Sequence, residues 1–291
     1  MKPAPFEYHA PNTIEEVVTL KSQYGDDAKF LAGGQSLVPA MNFRIVQPSV
    51  LIDLNRVAEL SYIREDESVI RVGSMARERH LEFDASIEKH APLLHEAVPN
   101  IAHPQIRNRG TIGGSIVNAD PAAELPVLMT ALSAKLKAKN KSGERCIDAK
   151  DFFAGMFTTV LESDEILVEI ELPFSQPRTG WSFMEVAPRA GDYAMMGVAT
   201  LVTLDEKGKC KSAKLVYLNA GDGPVDAVEA AQSLVGESLN DTLIESAALH
   251  ASEKEINPFG NMHASAEFQR HLAKTLTKQT LKIAAERAKT Q

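Results

Sequence analysis

The sequence predicts an α+β fold in three successive units, and three observations carry that prediction. Residues 1–55 alternate strand, helix and strand as a small α/β unit. Residues 56–176 mix short strands with interrupted helical segments, and residues 177–291 set three strand-like runs ahead of an almost wholly helical remainder. The junction between the last two units falls in Pro173–Thr179, rich in proline and polar residues.

Within the first unit, Phe6 and Tyr8 form a short strand. Thr13 with Glu16 three residues on marks a helix start of the capping-box type, and Ile14, Val17, Val18 and Leu20 supply its buried stripe. Lys29-Phe30-Leu31 is the strand that delivers the chain into Gly33-Gly34, and Leu51-Ile52-Asp53-Leu54 completes the unit. In the second unit Val69-Ile70-Arg71-Val72 is the first strand, followed by a helical stretch from about Leu81 to Ile101 with a break near Pro92. Residues Ala102 to Gly110 read as a loop. Asp120-Pro121 has the composition of a helix start, an acceptor side chain before a proline at the first helical position. Strands follow at Lys135–Lys139 and Glu165–Leu172; the ladder Lys135, Lys137, Lys139 and Lys141 alternates with Ala134, Leu136 and Ala138, as on a solvated strand face. The third unit carries strands at Trp181–Val186, Ala194–Leu204 and Ala213–Leu218, a stop at Gly221-Asp222-Gly223-Pro224, and helices that end in a long one from Ala266 to Ala288.

Composition removes several functions. Acidic side chains number 39 against 31 basic ones, a net charge of −8, which disfavours a nucleic-acid surface. Two cysteines, Cys146 and Cys210, make neither a disulfide framework nor a four-cysteine iron–sulfur centre on this chain. The N-terminus has no apolar signal segment and no stretch reaches membrane-spanning length, so the expectation is a cytoplasmic protein with no membrane span. The eight histidines fall at no metal-ligand spacing, and no metal site is expected; His103 stands out only by preceding a glycine motif. There is no G-x-S-x-G nucleophile elbow, no Walker loop and no Rossmann fingerprint.

What remains are two glycine-centred motifs that read as loops, Ala32-Gly33-Gly34-Gln35-Ser36 and Thr111-Ile112-Gly113-Gly114-Ser115. Paired glycines let backbone N–H groups close on an anion where a Cβ would obstruct it. Two such motifs, each with a hydroxyl residue, suggest a dinucleotide lying between two walls. A chain with such a site but no acid, base, nucleophile or metal is one whose cofactor carries the reaction, and a flavin fits that description best.

The run Phe30 to Pro39, together with Ile106-Arg107-Asn108-Arg109-Gly110-Thr111-Ile112-Gly113-Gly114, resembles the FAD-binding medium subunit of the molybdenum hydroxylases. This is the family of carbon monoxide, xanthine, quinoline and nicotine dehydrogenases. The likeness extends through Asp164-Glu165-Ile166-Leu167 and Gly191-Asp192-Tyr193-Ala194. It implies a two-subdomain FAD-binding fold followed by a C-terminal three-stranded antiparallel sheet with helices. FAD would lie between the first two units. By this resemblance Lys29, Leu31, Ala32, Gly33, Gly34, Gln35, Ser36 and Leu37 line one wall, and Ile101, Ala102, His103, Gly110, Thr111, Gly113, Gly114 and Ser115 the other. Backbone N–H groups and hydroxyls of both motifs would hold the pyrophosphate. Asp120 and Glu124 would lie near hydroxyls of the ribose and adenine side, Ile166 and Leu167 near the flavin ring, and Tyr193 beside the isoalloxazine. Gln35 stands where several relatives have histidine and Met184-Glu185 where lysine is common, leaving Arg189 the nearest cation in sequence.

The resemblance further implies an electron-transfer role. A large subunit would carry the molybdenum cofactor, and a small one two iron–sulfur clusters of the 2Fe–2S type, in a dimer of heterotrimers. This chain would take electrons from the clusters and pass them to an external acceptor. Two alternatives stand beside it. One is a self-contained flavin oxidase of the same architecture; the other is a nucleotide-binding scaffold, which would bind AMP or ADP without a flavin.

Overall fold

The computed structural model describes residues 1–291. The N-terminal unit runs β1 (Glu7–His9), α1 (Ile14–Tyr24), β2 (Ala28–Leu31), α2 (Leu37–Asn42) and β3 (Val50–Asp53), its strands forming a parallel sheet ordered β1-β3-β2. Thr13 caps α1 by accepting the Glu16 amide at 3.2 Å, and Glu16 Oε2 takes the Asn12 amide at 2.7 Å. Val17 and Val18 are buried beneath it, with Ile14 and Leu20 packed at the margin, so the expected stripe is the buried one.

The second unit contains β4 (Ile63–Asp66), β5 (Val69–Gly73), α3 (Glu78–Leu81), α4 (Ala85–His90), α5 (Pro92–Ala97), α6 (Pro104–Arg107), α7 (Ile112–Asn118) and α8 (Glu124–Ala131). It continues through β6 (Lys135–Asn140), β7 (Gly143–Asp148), β8 (Phe153–Gly155), β9 (Thr158–Thr159) and β10 (Ile166–Pro173). The main sheet is antiparallel in the order β4-β5-β10-β6-β7, and β8 and β9 form a small hairpin. Strand β10 is almost wholly buried because it serves two cores. Leu167, Ile170 and Leu172 face the large core of the second unit, whereas Ile166 and Val168 pack with Val17, Ile52 and Met75. This strand fastens the two units together.

Four local expectations are corrected. The helical stretch is three short helices, with Asp84 capping α4 through the amides of Ser86 and Ile87 and Pro92 opening α5. The expected loop before the second glycine motif contains α6, because Pro104 occupies a first helical position that tolerates a missing N–H. That second motif is itself not a loop but the first turn of α7, capped by Thr111. Asp120 does not open a helix. Its Oδ1 accepts the Ala122 amide at 3.0 Å in a tight turn, and α8 begins only at Glu124.

The third unit has β11 (Thr179–Val186), β12 (Met196–Leu204), β13 (Cys210–Leu218) and β14 (Val225–Asp226), antiparallel in that order, then α9 (Val228–Gln232), α10 (Asp241–His250) and α11 (Ala266–Thr290). The three long strands are those expected, with a two-residue fourth added. Helix α11 lies across the sheet closely enough that a Cβ on Gly180 would stand 2.5 Å from the Ala288 nitrogen. Its buried hydroxyls are paired, Thr277 with Tyr217 at 2.6 Å and Thr280 with Thr200 at 2.8 Å. No helix is long and apolar enough to cross a membrane.

Candidate functional site

The two glycine motifs meet. A Cβ on Gly33 would collide with the Arg109 carbonyl and stand 2.8 Å from Gly110 Cα, and one on Gly114 would come to 3.4 Å from the Ala32 Cβ. Gly113 is as tightly held, since a Cβ there would lie 2.6 Å from both the Cβ and the carbonyl oxygen of Ser74. The contact is therefore backbone on backbone, which only glycine permits at these positions.

Their hydrogen bonding sets them apart. In the first motif the amides of Ala32, Gly33, Gly34, Gln35 and Ser36 have no acceptor within the protein. The acceptors of the same loop are mostly engaged: Ala32 O by Asn55 Nδ2 at 2.9 Å, Gly33 O by the Gln35 amide group at 3.2 Å, Gly34 O by the Val38 amide and Ser36 O by the Ala40 amide. A loop with its carbonyls bonded and its N–H groups free is a concentrated source of positive potential. Gly34 makes this geometry possible with φ +76°, which a side chain would disfavour. In the second motif the amides are consumed internally. Ile112 N donates to Ala76 O at 3.0 Å, Gly113 N to Ser74 O at 2.8 Å, Gly114 N to Thr111 Oγ1 at 3.1 Å and Ser115 N to Thr111 O at 3.1 Å. Anion-binding donors are thus concentrated in Ala32–Ser36, while the second motif offers the Thr111 amide and the Ser115 hydroxyl and otherwise acts as a packing wall.

Lys29 is exposed on β2, Leu31 is half-buried at its end, and Leu37 is half-buried at the start of α2. The Ile101-Ala102-His103 turn, with Ala102 at φ +42°, is held by Arg107, whose Nη1 donates to Ile101 O at 2.8 Å and Ala102 O at 3.3 Å. Arg107 is itself buried and paired with Glu82 at 3.0 Å, so it is no part of a basic surface. The turn also meets the loop bearing Tyr193, for a Cβ on Gly191 would come to 2.5 Å from His103 Nδ1. Tyr193 is 69% exposed. Ile166 and Leu167 are buried in β10, where a bulge follows Leu167.

Behind Tyr193 is a group of acidic side chains. Glu124 is buried, and burial followed by the Asp120 charge pushes its pKa up to about 7, with Arg107 opposing. Burial and Glu124 push Glu78 up to about 8, against Arg107 and Arg77, and do the same for Glu185. Burial also raises Asp120. The Tyr193 phenol is raised by the part of it that leaves water and then by Asp120 and Glu124. Oε2 of Glu78 and of Glu185 are buried without a hydrogen-bond partner. Glu185 is half-buried on β11, and Arg189 is exposed. No group of three or more histidine, cysteine or carboxylate side chains is arranged to hold a metal.

Sequence reasoning missed Asn55 and Arg77. Asn55 Oδ1 accepts Arg77 Nη2 at 2.6 Å, and Arg77 Nη1 donates to Arg109 O. A signal existed for Asn55, which follows the carboxyl end of a buried parallel strand, where ligand sites gather. For Arg77, in a turn beyond β5, there was none.

Comparison with known proteins shows the family. Residues 4–175 match the model described as the FAD binding domain in molybdopterin dehydrogenase, and residues 181–284 that of the CO dehydrogenase flavoprotein C-terminal domain. The chain is 41% identical to the 6-hydroxypseudooxynicotine dehydrogenase complex subunit alpha of Paenarthrobacter nicotinovorans, over 99% of this chain and 97% of that one. Among solved structures it superposes on a chain of carbon monoxide dehydrogenase from Hydrogenophaga pseudoflava with a TM-score of 0.96, at 36% identity and 99% coverage of both. It likewise matches a chain of quinoline 2-oxidoreductase from Pseudomonas putida 86 with a TM-score of 0.94, at 35% identity and 99% coverage of both. This chain belongs to the family of FAD-binding flavoprotein subunits of molybdenum hydroxylases.

Proposed function

We propose that the chain is the electron-transfer subunit of its complex: it takes electrons from 2Fe–2S clusters on a small partner subunit and hands them to an external acceptor. The substrate would be oxidised on a large partner subunit that holds the molybdenum cofactor, in a cytoplasmic dimer of heterotrimers. The observation that supports this most directly is the Ala32–Ser36 loop, whose free amides suit a pyrophosphate on a chain that has no catalytic side-chain constellation of its own. Bound FAD would supply a redox centre that accepts and releases electrons one or two at a time.

The protein's own residues would bind and shield. Ala32 through Ser36 would donate to the pyrophosphate oxygens, with the Ser36 and Ser115 hydroxyls as further donors. Gly33, Gly113 and Gly114 would keep the walls close enough to exclude side chains from that channel. Asp120 and Glu124 would accept hydrogen bonds from hydroxyls of the dinucleotide, and Ile166 and Leu167 would border the ring system. Tyr193, exposed on its loop, would cover one face of the isoalloxazine.

The test is a visible absorbance spectrum of the purified chain before and after acid release, with the released cofactor chromatographed. The expected outcome is the two visible bands of oxidised flavin, FAD in the supernatant, and co-purification of molybdenum and iron with the affinity-tagged chain. A chain that carries no flavin and takes up none on reconstitution, even with its partners present, would return the scaffold alternative.

A further inference from the structure

We propose that Asn55 and Arg77 are positioning residues of the dinucleotide site, a bridge that ties the carbonyl of Ala32 to that of Arg109 and sets the first glycine loop for an anion. The inference rests on the FAD reading above and deepens it by naming what organises the binding loop.

The bridge is continuous. Tyr8 donates its hydroxyl to Asp53 Oδ2 at 2.5 Å, and Asp53 Oδ1 accepts the Asn55 amide at 2.9 Å, fixing the Asn55 backbone at the end of β3. From there Asn55 Nδ2 reaches Ala32 O at 2.9 Å and Asn55 Oδ1 accepts Arg77 Nη2 at 2.6 Å, while the other arm of the guanidinium holds Arg109 O. Arg109 O is the atom that a Cβ on Gly33 would strike, so the bridge ends where the two walls touch.

Two physical consequences follow. The carbonyl oxygens of Ala32 and Arg109 are negative ends beside Gly33, and engaging both with donors reduces their repulsion of an anion at the loop. Arg77 also places a full positive charge one hydrogen-bonded residue from the loop, with Asp53 and Glu78 as its opposing charges and Arg109 as its like one. A forked donor is required, since two acceptors from different elements must be held at once; a lysine ammonium would keep the charge without the planar fork.

The test titrates the full purified chain, freed of flavin, with FAD and with ADP, which carries the pyrophosphate but no flavin. Far-UV circular dichroism and melting midpoint are read alongside. The variants are Asn55→Ala, Arg77→Met, Arg77→Lys and the Asn55→Ala/Arg77→Lys pair. Each single variant is expected to weaken both ligands by about tenfold, the effect of losing one well-placed hydrogen bond. The pair is expected to lose little more than the weaker single, because both residues act through one bridge. Wild-type affinity in Arg77→Lys, or losses that multiply in the pair, would overturn the proposal. Should an Arg77 variant fail to fold, Asn55→Ala decides alone: Asn55 is exposed, and unchanged affinity there sinks the bridge. A wild-type chain that takes neither FAD nor ADP contradicts the cofactor reading itself, an outcome distinct from binding that the variants leave untouched.

Discussion

Glu96 and Arg287 meet at 2.5 Å although 191 residues separate them, and through this contact the last helix is fastened to the second unit. Glu96 Oε1 also takes the Phe183 amide at 2.9 Å, while Arg287 donates to Trp181 O at 2.8 Å and covers the Trp181 ring at 5.2 Å from its centroid. Removing the carboxylate strands the Phe183 amide and leaves Arg287 with Trp181 as its remaining partner. Glu96→Ala is therefore expected to cost about 1–3 kcal/mol, towards the low end because Arg287 is partly open to solvent. Urea denaturation measures the loss, and hydrogen exchange should show it concentrated in α11 and β11. A loss spread evenly over the chain would refute the clamp.

Gly33 and Gly34 should respond differently to alanine. At Gly33 a methyl group runs into the Arg109 carbonyl and Gly110 Cα, backbone atoms that can yield only by parting the two walls. At Gly34 the nearest atoms are side-chain methyl groups of Val38 and Leu31 at 3.2 and 3.3 Å, and the cost is that of a side chain at φ +76°. Gly33→Ala is expected to lose about 1–3 kcal/mol and FAD binding with it, Gly34→Ala about 1 kcal/mol with weakened binding. Thermal melts and FAD titrations of the two variants check the order, and an equal effect would contradict it.

Elements with a strong apolar period were legible in the sequence. Helix α1, strands β2, β3, β5 and β10, the three long strands of the third unit and α11 all fall where periodicity put them. Strands β4 and β7 were not, because Ile-Arg-Glu-Asp and Gly-Glu-Arg-Cys-Ile-Asp lie at sheet edges with few buried residues and carry polar side chains where an alternating pattern would show. Helix α6 hid behind Pro104 and Asn108. The lysines of β6 lie, as expected, on the more open face, although Lys137 pairs with the buried Glu169 at 2.6 Å.

At the site, the glycines were legible because a missing Cβ is itself a statement about close approach. Their division of labour was not. Whether an amide is free depends on carbonyls elsewhere: Ser74 and Ala76 consume the amides of the second motif, and no carbonyl reaches those of the first. Asn55 and Arg77 act across 23 and 32 residues of sequence, a separation at which local pattern carries no information.

Tyr193 offers a separation of binding from stability. With 69% of it exposed, Tyr193→Leu is expected to move the melting midpoint of the flavin-free chain little, within about 0.5 kcal/mol. Bound FAD should respond through a shifted visible band and stronger flavin fluorescence, since an aromatic ring over the isoalloxazine quenches it. A variant with unchanged flavin spectra and fluorescence would remove Tyr193 from the ring face.

The carboxyl groups of Glu78, Glu124 and Glu185 give the flavin-free chain a distinctive pH dependence. Their folded pKa values, about 8, 7 and 8, lie above the value of about 4.5 for a free glutamate, so between those limits the folded chain binds more protons than the unfolded one. Stability from these groups is greatest below pH 4.5, falls as pH rises from there to about 8, and is flat above. Each fully titrating group contributes a slope of up to about 1.4 kcal/mol per pH unit. Glu185→Gln removes one titration while keeping the shape of a half-buried side chain whose Oε2 is buried without a partner. The variant is expected to match wild type near pH 5, exceed it in stability at pH 8, and show a shallower decline between, as read by denaturant midpoints across that range. An unaltered slope in Glu185→Gln would mean that the carboxylate is ionised in the folded chain at neutral pH, and the protonated cluster would have to be abandoned.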